Sequence, residues 1–396
     1  MPVSKINIYQ IYYLYVLDII SNRGMKMDSK LIAFAIVGIL VGAGIGIGAG
    51  YMVWNDEGTS DVPDVPEPEA ITVKDGRGKN VTIASSSRVA TTSVTVTEIV
   101  CGLGAYSKLA GVTDDSNNYN LRDYVIGLGD DGYPGIIAQA LEYEHITNMG
   151  NMYMISAESV LTANPDLVIM GGYFNSDETI TSLEGMGIPV VVCKDDNSLE
   201  NIYFNIKLIG KALGMNAEAD KLVQNMQSVV GKITGWVTKQ GAPSKKIAVL
   251  MGFGSEYGTY GCGVQYLLGT PMIEMFNNTN AFGTTLPGMY DVVSKEAIVT
   301  ANPDIIIDSM PMGRDVLDTV KTDEITKDLP AVVNDRIYGV FDLASKEYVL
   351  TTQSILNSLA IHVMFVFEDK LDFAIDNYMG DEYEDNLRKF WNQINA

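Results

Sequence analysis

The side chains that most often carry catalysis or bind metals are scarce and scattered in this sequence. It contains two histidines, His145 and His362, and three cysteines, Cys101, Cys193 and Cys262. A zinc cage needs three or four such ligands close together, and no Cys-x-x-Cys pair or Gly-x-Ser-x-Gly elbow is present. The sequence therefore argues against an enzyme. We expect the cysteines and His362 to be buried structural residues and His145 to lie in a solvated loop.

Aromatic residues in glycine-rich loops are the pattern that suits binding. Tyrosine offers an apolar ring and a hydroxyl that hydrogen-bonds a polar edge, so such loops fit a large, flat or chelate-bearing ligand, although each ring could equally pack within the fold. Arg314 is a candidate anion clamp because a guanidinium meets an oxyanion in bidentate fashion. The predicted ligand-binding residues are Tyr119, Asn151, Tyr173, Phe174, Phe253, Tyr257, Tyr260, Tyr290 and Arg314.

The chain is strongly acidic, with 27 Lys and Arg against 49 Asp and Glu and a net charge of −22. Such a charge repels the phosphate backbone of nucleic acids. We therefore expect no nucleic-acid partner.

Residues 31–54 form an uncharged, apolar run of 24 residues, which is long enough to span a bilayer as a helix. Basic residues precede the run and acidic residues follow it, so the positive-inside rule places residues 1–30 in the cytoplasm and the rest outside the cell membrane. We predict a single-pass signal anchor, with cleavage as a signal peptide as the alternative. Met25 or Met27 would make a more natural start, which leaves the translation of residues 1–24 open. Residues 55–70 are an acidic, proline-rich linker.

Strand-like and helix-like segments alternate through the remaining chain, which is typical of α/β lobes. We predict a first lobe over residues 71–198, connecting helices over 199–240 and a second lobe over 241–396. The second connecting helix should start after a cap at Asn216 and run to about Lys239. Its apolar stripe is formed by Leu222, Met226, Val229, Ile233 and Trp236.

A repeat at an offset of 138 residues relates the two lobes. Residues 156–169 read SAESVLTANPDLVI and residues 294–307 read SKEAIVTANPDIII, with eight of fourteen positions identical. Each copy predicts a short helix capped by Ser156 or Ser294 and then a buried strand.

Each repeat carries one glutamate, Glu158 or Glu296, in the first helical turn, where the helix dipole favours an anion. We expect the aliphatic pairs Val160/Leu161 and Ile298/Val299 to face the sheets. The glutamates would then point outward, one from each lobe.

Six segments in this order resemble the solute-binding proteins of ABC importers for iron complexes and corrinoids: ITVKDGRGKNVTI, TEIVCGLGAYSKLAGVT, ESVLTANPDLVI, GKALG before the long helix, EAIVTANPDIII and LPAVVNDRIYGV. The resemblance spans residues 71–395. It implies two similar α/β lobes joined by a long rigid helix, which is a class III periplasmic-binding-protein-like fold, here preceded by one transmembrane helix. It also implies a ligand cleft between the lobes, and docking of Glu158 and Glu296 on arginines of the membrane permease.

The expected function is capture of an iron–siderophore, corrinoid or heme-like complex outside the cell and its delivery to an ABC importer permease with its ATPase. The iron or cobalt complex would be cargo, and the protein would have no cofactor of its own. Two alternatives stay open. The ligand could be a bare oxyanion such as molybdate or tungstate, held by Arg314 and loop amides, or the protein could be a membrane-tethered sensor.

Overall fold

The computed structural model describes residues 70–113, 124–128, 146–172, 175–251, 259–263, 265, 267–308, 315–340, 355–379 and 383–396. The predicted cytoplasmic segment, the predicted anchor at residues 31–54 and the linker up to residue 69 lie outside these residues. Among the helices that are described, none is both long and apolar enough to cross a membrane.

The described strands form a hairpin and two sheets. The hairpin pairs β1 (Ile71–Lys74) with β2 (Asn80–Ile83). The first sheet contains five parallel strands in the order β5-β4-β3-β6-β7, which are β3 (Val89–Thr91), β4 (Leu109–Val112), β5 (Thr147–Asn148), β6 (Leu167–Met170) and β7 (Val190–Val192). The sequence of this hairpin is typical of the motif, because two short β-rich runs flank the Asp75–Gly78 turn.

The second sheet has the order β11-β9-β8-β12-β13-β14, with β10 beside β8. Strands β9 and β11 are antiparallel to their neighbours, and the other pairs are parallel. Its strands are β8 (Lys246–Met251), β9 (Tyr260–Cys262), β10 (Thr279–Asn280), β11 (Tyr290–Val292), β12 (Ile305–Asp308), β13 (Ile337–Val340) and β14 (Tyr378–Met379).

The described helices alternate with the strands and then connect the lobes. Those of the first lobe are α1 (Val94–Gly102), α2 (Ala157–Leu161) and α3 (Asp177–Gly185). The connecting helices are α4 (Leu199–Ala212) and α5 (Asn216–Gln240). Those that follow the start of the second sheet are α6 (Thr270–Met275), α7 (Lys295–Ala301), α8 (Asp315–Thr322), α9 (Pro330–Val333), α10 (Ile355–Val366) and α11 (Tyr383–Asn395).

The two faces of each sheet belong to different cores. In β6, Leu167 belongs to a large buried cluster and the next residue, Val168, to a cluster confined to the first lobe. In β12, Ile307 belongs to the same large cluster and Ile306 to a cluster confined to the second lobe. We call the large cluster the shared core. It includes residues of both sheets and of α1, α4, α5, α10 and α11.

Helix α5 runs through the shared core. At 1.5 Å per residue its 25 residues extend about 37 Å. All five residues of the predicted stripe are buried, which confirms the amphipathic pattern. The cap prediction was wrong, because Met215 occupies the N-cap position without a side-chain cap and Asn216 is already helical. At the far end Trp236 packs edge-on against Phe367 and Phe390, at ring-centroid distances of 6.0 and 5.3 Å.

A segment of the first lobe, residues 124–128, is fixed to the carboxyl-terminal helices. The buried Asn357 of α10 accepts a hydrogen bond from the Ile126 amide at 2.9 Å and donates one to the Tyr124 carbonyl at 2.8 Å. A Cβ added at Gly127, which has φ +73°, would lie 2.4 Å from Val229 of α5. The segment therefore fits closely between α5 and α10.

Replacing Asn357 by alanine should destabilise the protein strongly, because it leaves a buried amide and a buried carbonyl without their partner. We expect the free energy of unfolding to fall by about 2–4 kcal/mol, measured by urea denaturation. Asn225→Ala, at an exposed position of α5, is the matched control and should change it little. Equal stabilities of the two variants would contradict this role of Asn357.

His362 is fully buried in α10, as expected for a core residue. Its ring stacks on Phe276 at 5.8 Å, and neither ring nitrogen has a hydrogen-bond partner among the described residues. Burial lowers the pKa of His362 to about 3, because the charged imidazolium would lose its hydration.

The unfolded chain therefore binds a proton at His362 at a higher pH than the folded chain does. This contribution to stability is complete above the unfolded pKa of about 6.5 and is lost as the pH falls below it. Its slope is up to about 1.4 kcal/mol per pH unit. Urea unfolding of wild type and of His362→Leu at pH 7, 6 and 5 should show a shallower acid dependence in the variant. Parallel pH dependences would refute this assignment.

Candidate ligand cleft and docking surface

Buried hydroxyl groups line the carboxyl end of β3, the central strand of the first sheet. Thr91, Thr92 and Ser93 are buried there. The Thr91 and Thr97 hydroxyls lie 2.7 Å apart, and Ser93 caps α1 by accepting from the Val96 amide. In parallel α/β sheets, ligands bind beyond the carboxyl ends of the strands. These hydroxyls therefore form part of the floor of a candidate cleft.

The chain leaves β6 through Gly171 and Gly172 in close contact with the chain that leaves β7. A Cβ at Gly172 would lie 2.3 Å from the Asp195 amide nitrogen, so the approach requires glycine. The Asn175 side chain donates to the carbonyls of Gly171 and Gly172 at 3.3 and 2.5 Å. Asn175 thus hydrogen-bonds the two residues that follow β6, next to the positions of Tyr173 and Phe174, which were predicted to bind ligand. Sequence reasoning missed it.

Two acidic residues, Asp195 and Asp196, lie between β7 and the first connecting helix, α4. Asn205 of α4 fixes this segment, because its side chain bonds both the amide and the carbonyl of Lys194, at 2.8 and 2.9 Å. Loss of hydration, with a smaller effect of the Asp195 charge, raises the pKa of Asp196 to about 7. Asp196 therefore titrates near neutral pH.

In the second lobe, an aromatic pair lies at the carboxyl end of β8. Tyr260 of β9 is opposite Met251, the last residue of β8. Its ring meets the ring of Tyr290 from β11 edge to face, with centroids 5.9 Å apart. Tyr290 remains 48% exposed, so the pair presents an aromatic edge to solvent.

Asp308 ends β12 as a buried carboxylate, opposite Leu250 of β8 and Gly339 of β13. Sequence reasoning assigned its segment to a strand and gave the residue no role. The sequence feature that could have identified it is an acidic residue directly after the aliphatic residues of DIIID.

The described residues contain three members of the predicted ligand-binding set. Tyr260 and Tyr290 are brought together. Asn151 is exposed and caps the 3-10 helix Met152–Met154 by accepting from the Tyr153 amide at 2.8 Å, which gives it a structural role. The remaining predicted residues lie outside the described residues: Tyr119, Tyr173, Phe174, Phe253, Tyr257 and Arg314.

The sequence repeat forms the same capped helix in both lobes. Ser156 accepts from the Ser159 amide at the start of α2, and Ser294 accepts from the Ala297 amide at the start of α7. Asn164 and Asn302 both adopt the left-handed conformation, with φ +48°, where each helix stops.

A basic side chain donates a hydrogen bond to a backbone carbonyl at the carboxyl end of each repeated helix. Arg88, just before β3, donates to the Ala163 carbonyl at 2.6 Å, and Lys246, the first residue of β8, donates to the Ala301 carbonyl at 2.7 Å. The carboxyl ends of α2 and α7 therefore lie at the amino edges of their sheets. Their amino ends, with the glutamates, point toward the carboxyl edges of the sheets.

Glu158 and Glu296 are both exposed. The pKa of each carboxyl is lowered, first by its own backbone amide and then by the hydroxyl of the capping serine. Both are therefore ionised at neutral pH and available to a basic partner.

One expectation about these helices was wrong. Val160 and Ile298 are fully buried, but Leu161 and Val299 are exposed. Helices this short present only one position per turn to the sheet, and the next residue, about 100° further round, faces solvent.

The cysteines are buried, as expected. Burial raises the pKa of the Cys101 thiol to about 12 and also raises that of Cys193, so both remain protonated. Within the described residues, no group of three or more His, Cys, Asp or Glu could hold a metal ion.

A family model described as Periplasmic binding protein matches residues 89–342, which is more than half of the chain. YvrC of Bacillus subtilis (strain 168), named an uncharacterized ABC transporter substrate-binding lipoprotein, is 26% identical over 294 residues, or 72% of this chain and 82% of that protein. The apo periplasmic heme-binding protein RhuT from Roseiflexus sp. RS-1 shares 18% identity with a TM-score of 0.55, covering 78% of this chain and 100% of that one. The periplasmic vitamin B12 binding protein BtuF of Vibrio cholerae shares 18% identity with a TM-score of 0.55. The match covers 71% of this chain and 97% of that one.

At these identities the solved structures show a shared fold. The family match covers strands of both sheets and the connecting helices, and it confirms the resemblance noted in the sequence. The matched relatives are binding proteins and not enzymes, in agreement with the sequence analysis. The chain belongs to the periplasmic binding protein family.

Proposed function

We propose that this chain is the extracytoplasmic substrate-binding component of an ABC importer, which captures a metal complex between its lobes and delivers it to the permease. The observation that carries the proposal is the duplicated helix, which offers one exposed, ionised glutamate per lobe on the side of the carboxyl edge of its sheet. Membership of the family and the name of the Bacillus relative support the transport role.

The ligand we propose is an iron–siderophore, corrinoid or heme-like complex. The exposed edge of the Tyr260–Tyr290 pair supports this choice, because an aromatic surface binds a flat or macrocyclic ligand over a large apolar area. RhuT and BtuF, by their names, bind heme and vitamin B12.

We further propose that residues 31–54 anchor the protein in the cell membrane by a single span, with the binding body outside. The uncharged sequence and the charges that flank it support this arrangement. A tether keeps the loaded protein close to the permease and raises its effective concentration there.

Removing either ring of the aromatic pair should weaken ligand binding. Tyr260→Ala and Tyr290→Ala should each raise the dissociation constant about tenfold, measured by absorbance titration with hemin, cobalamin and a ferric siderophore. Tyr106→Ala is the control, since this exposed tyrosine precedes β4 at the opposite edge of the first sheet. An unchanged affinity in both pair variants, or binding of molybdate alone, would contradict this ligand class.

Reversing the charge of both docking glutamates should abolish delivery. The variant Glu158→Lys, Glu296→Lys should bind ligand like wild type but lose most uptake through the intact transporter, because a cation would face the basic residues of the permease. Glu218→Lys, Glu274→Lys makes the same change in net charge at exposed positions elsewhere and should transport normally. Normal uptake by the first variant would refute the docking role.

A further inference from the structure

Exposed aliphatic side chains flank both glutamates at matched positions of the repeat. Met154 is 83% exposed and Val292 is 62% exposed, and each lies two residues before the capping serine. Leu161 is 36% exposed and Val299 is 37% exposed, and each lies three residues after the glutamate. The two lobes therefore repeat a surface as well as a fold.

Local geometry explains why these side chains face outward. The residues directly before the capping serines, Ile155 and Val293, are buried in the same clusters as Val160 and Ile298, respectively. A pair at these positions forms a hydrophobic staple, which fixes how the chain enters a helix. Met154 is the last residue of the 3-10 helix Met152–Met154 and Val292 is the last residue of the exposed strand β11, so in each lobe an exposed side chain directly precedes the buried staple residue.

The glutamate and the following aliphatic residue share a helix face. Residues three apart on a helix are neighbours, so Glu158 lies beside Leu161, and Glu296 beside Val299. We name the first set, Met154, Glu158 and Leu161, patch 1. We name the second set, Val292, Glu296 and Val299, patch 2.

Both patches begin at the carboxyl edge of their sheet. The Thr179 hydroxyl, at the start of α3 just beyond β6, contacts the Ile155 carbonyl at 3.4 Å. The Val293 amide donates to the Thr259 carbonyl at 2.9 Å. Thr259 directly precedes Tyr260, which is opposite the last residue of β8. A partner seated on the patches would therefore also cover the rim of the cleft.

An exposed ion pair in water contributes only about 0–1 kcal/mol. Two such pairs would hold a partner weakly. A surrounding apolar rim that excludes water strengthens the pair at its centre. Each patch has one exposed apolar side chain before its glutamate in the chain and one after it.

From these observations we infer that patch 1 and patch 2 seat in two equivalent sockets of the permease, each with a basic side chain surrounded by apolar side chains. The inference rests on the proposed function, since it assigns further residues to the same docking event. The acidic chain and the ionised glutamates select a basic partner. Two matched patches require two matched surfaces, which a symmetric pair of permease subunits provides.

The test is binding of the full chain to its permease–ATPase complex in nanodiscs, measured by interferometry at several salt concentrations. The rim variant carries Met154→Ser, Leu161→Ser, Val292→Ser and Val299→Ser. We expect its dissociation constant to rise at least about tenfold with an unchanged salt dependence. Glu158→Gln, Glu296→Gln should weaken binding and also flatten the salt dependence, because charge attraction is lost.

The matched control replaces exposed apolar residues elsewhere, Met186→Ser, Ile325→Ser and Val333→Ser, and should bind like wild type. An alanine version of the rim variant preserves helix propensity and should weaken binding in the same direction, which separates docking from folding.

Wild-type affinity of the rim variant together with weak binding of the glutamine variant would overturn this inference and leave the proposed docking glutamates intact. Wild-type affinity of both variants would overturn the docking role itself. Variants of patch 1 alone and of patch 2 alone should weaken binding to a similar extent. Loss confined to one patch would overturn the two equivalent sockets.

Discussion

The apolar core along α5 is the constraint on which the rest of the structure depends. Each sheet contributes one face to this core, so the two lobes cannot separate without exposing the buried side of the connecting helix. Residues 124–128 add a second link through the hydrogen bonds of Asn357. Burial of apolar area is the dominant favourable term in folding, and breaking a continuous core is costly. The shared core therefore restricts movement of one lobe relative to the other.

In each lobe the repeated helix holds an ionised glutamate at the protein surface, away from the apolar core. At the amino end of each helix, a backbone amide and the capping serine hydrogen-bond the glutamate carboxylate. At the carboxyl end, Arg88 or Lys246 donates a hydrogen bond to a backbone carbonyl. The same arrangement in both lobes gives the molecule two equivalent acidic positions, one at the carboxyl edge of each sheet. The proposed docking on a permease depends on the spacing of these positions, which the shared core sets.

Features determined by local sequence could be predicted, and features determined by tertiary contacts could not. The stripe of α5 repeats at helical spacing over 25 residues, and the repeated helices carry local start and stop signals. The burial of Leu161 and Val299 was mispredicted because helix length and the neighbouring chain decide which face is covered. Asn357 and Ile126 are 231 residues apart, and no local pattern joins them. The pairing of Tyr260 with Tyr290 likewise depends on the register of β9 and β11.

The distance between the two repeated helices tests this account most directly. Spin labels at Thr162→Cys and Thr300→Cys, both exposed, can be attached selectively because the three native cysteines are buried. Pulsed electron paramagnetic resonance should give one narrow distance population in the ligand-free protein, and the same population after saturation with the metal complex it binds. A broad or two-peaked distribution that ligand converts to a single shorter distance would contradict a frame held by one core.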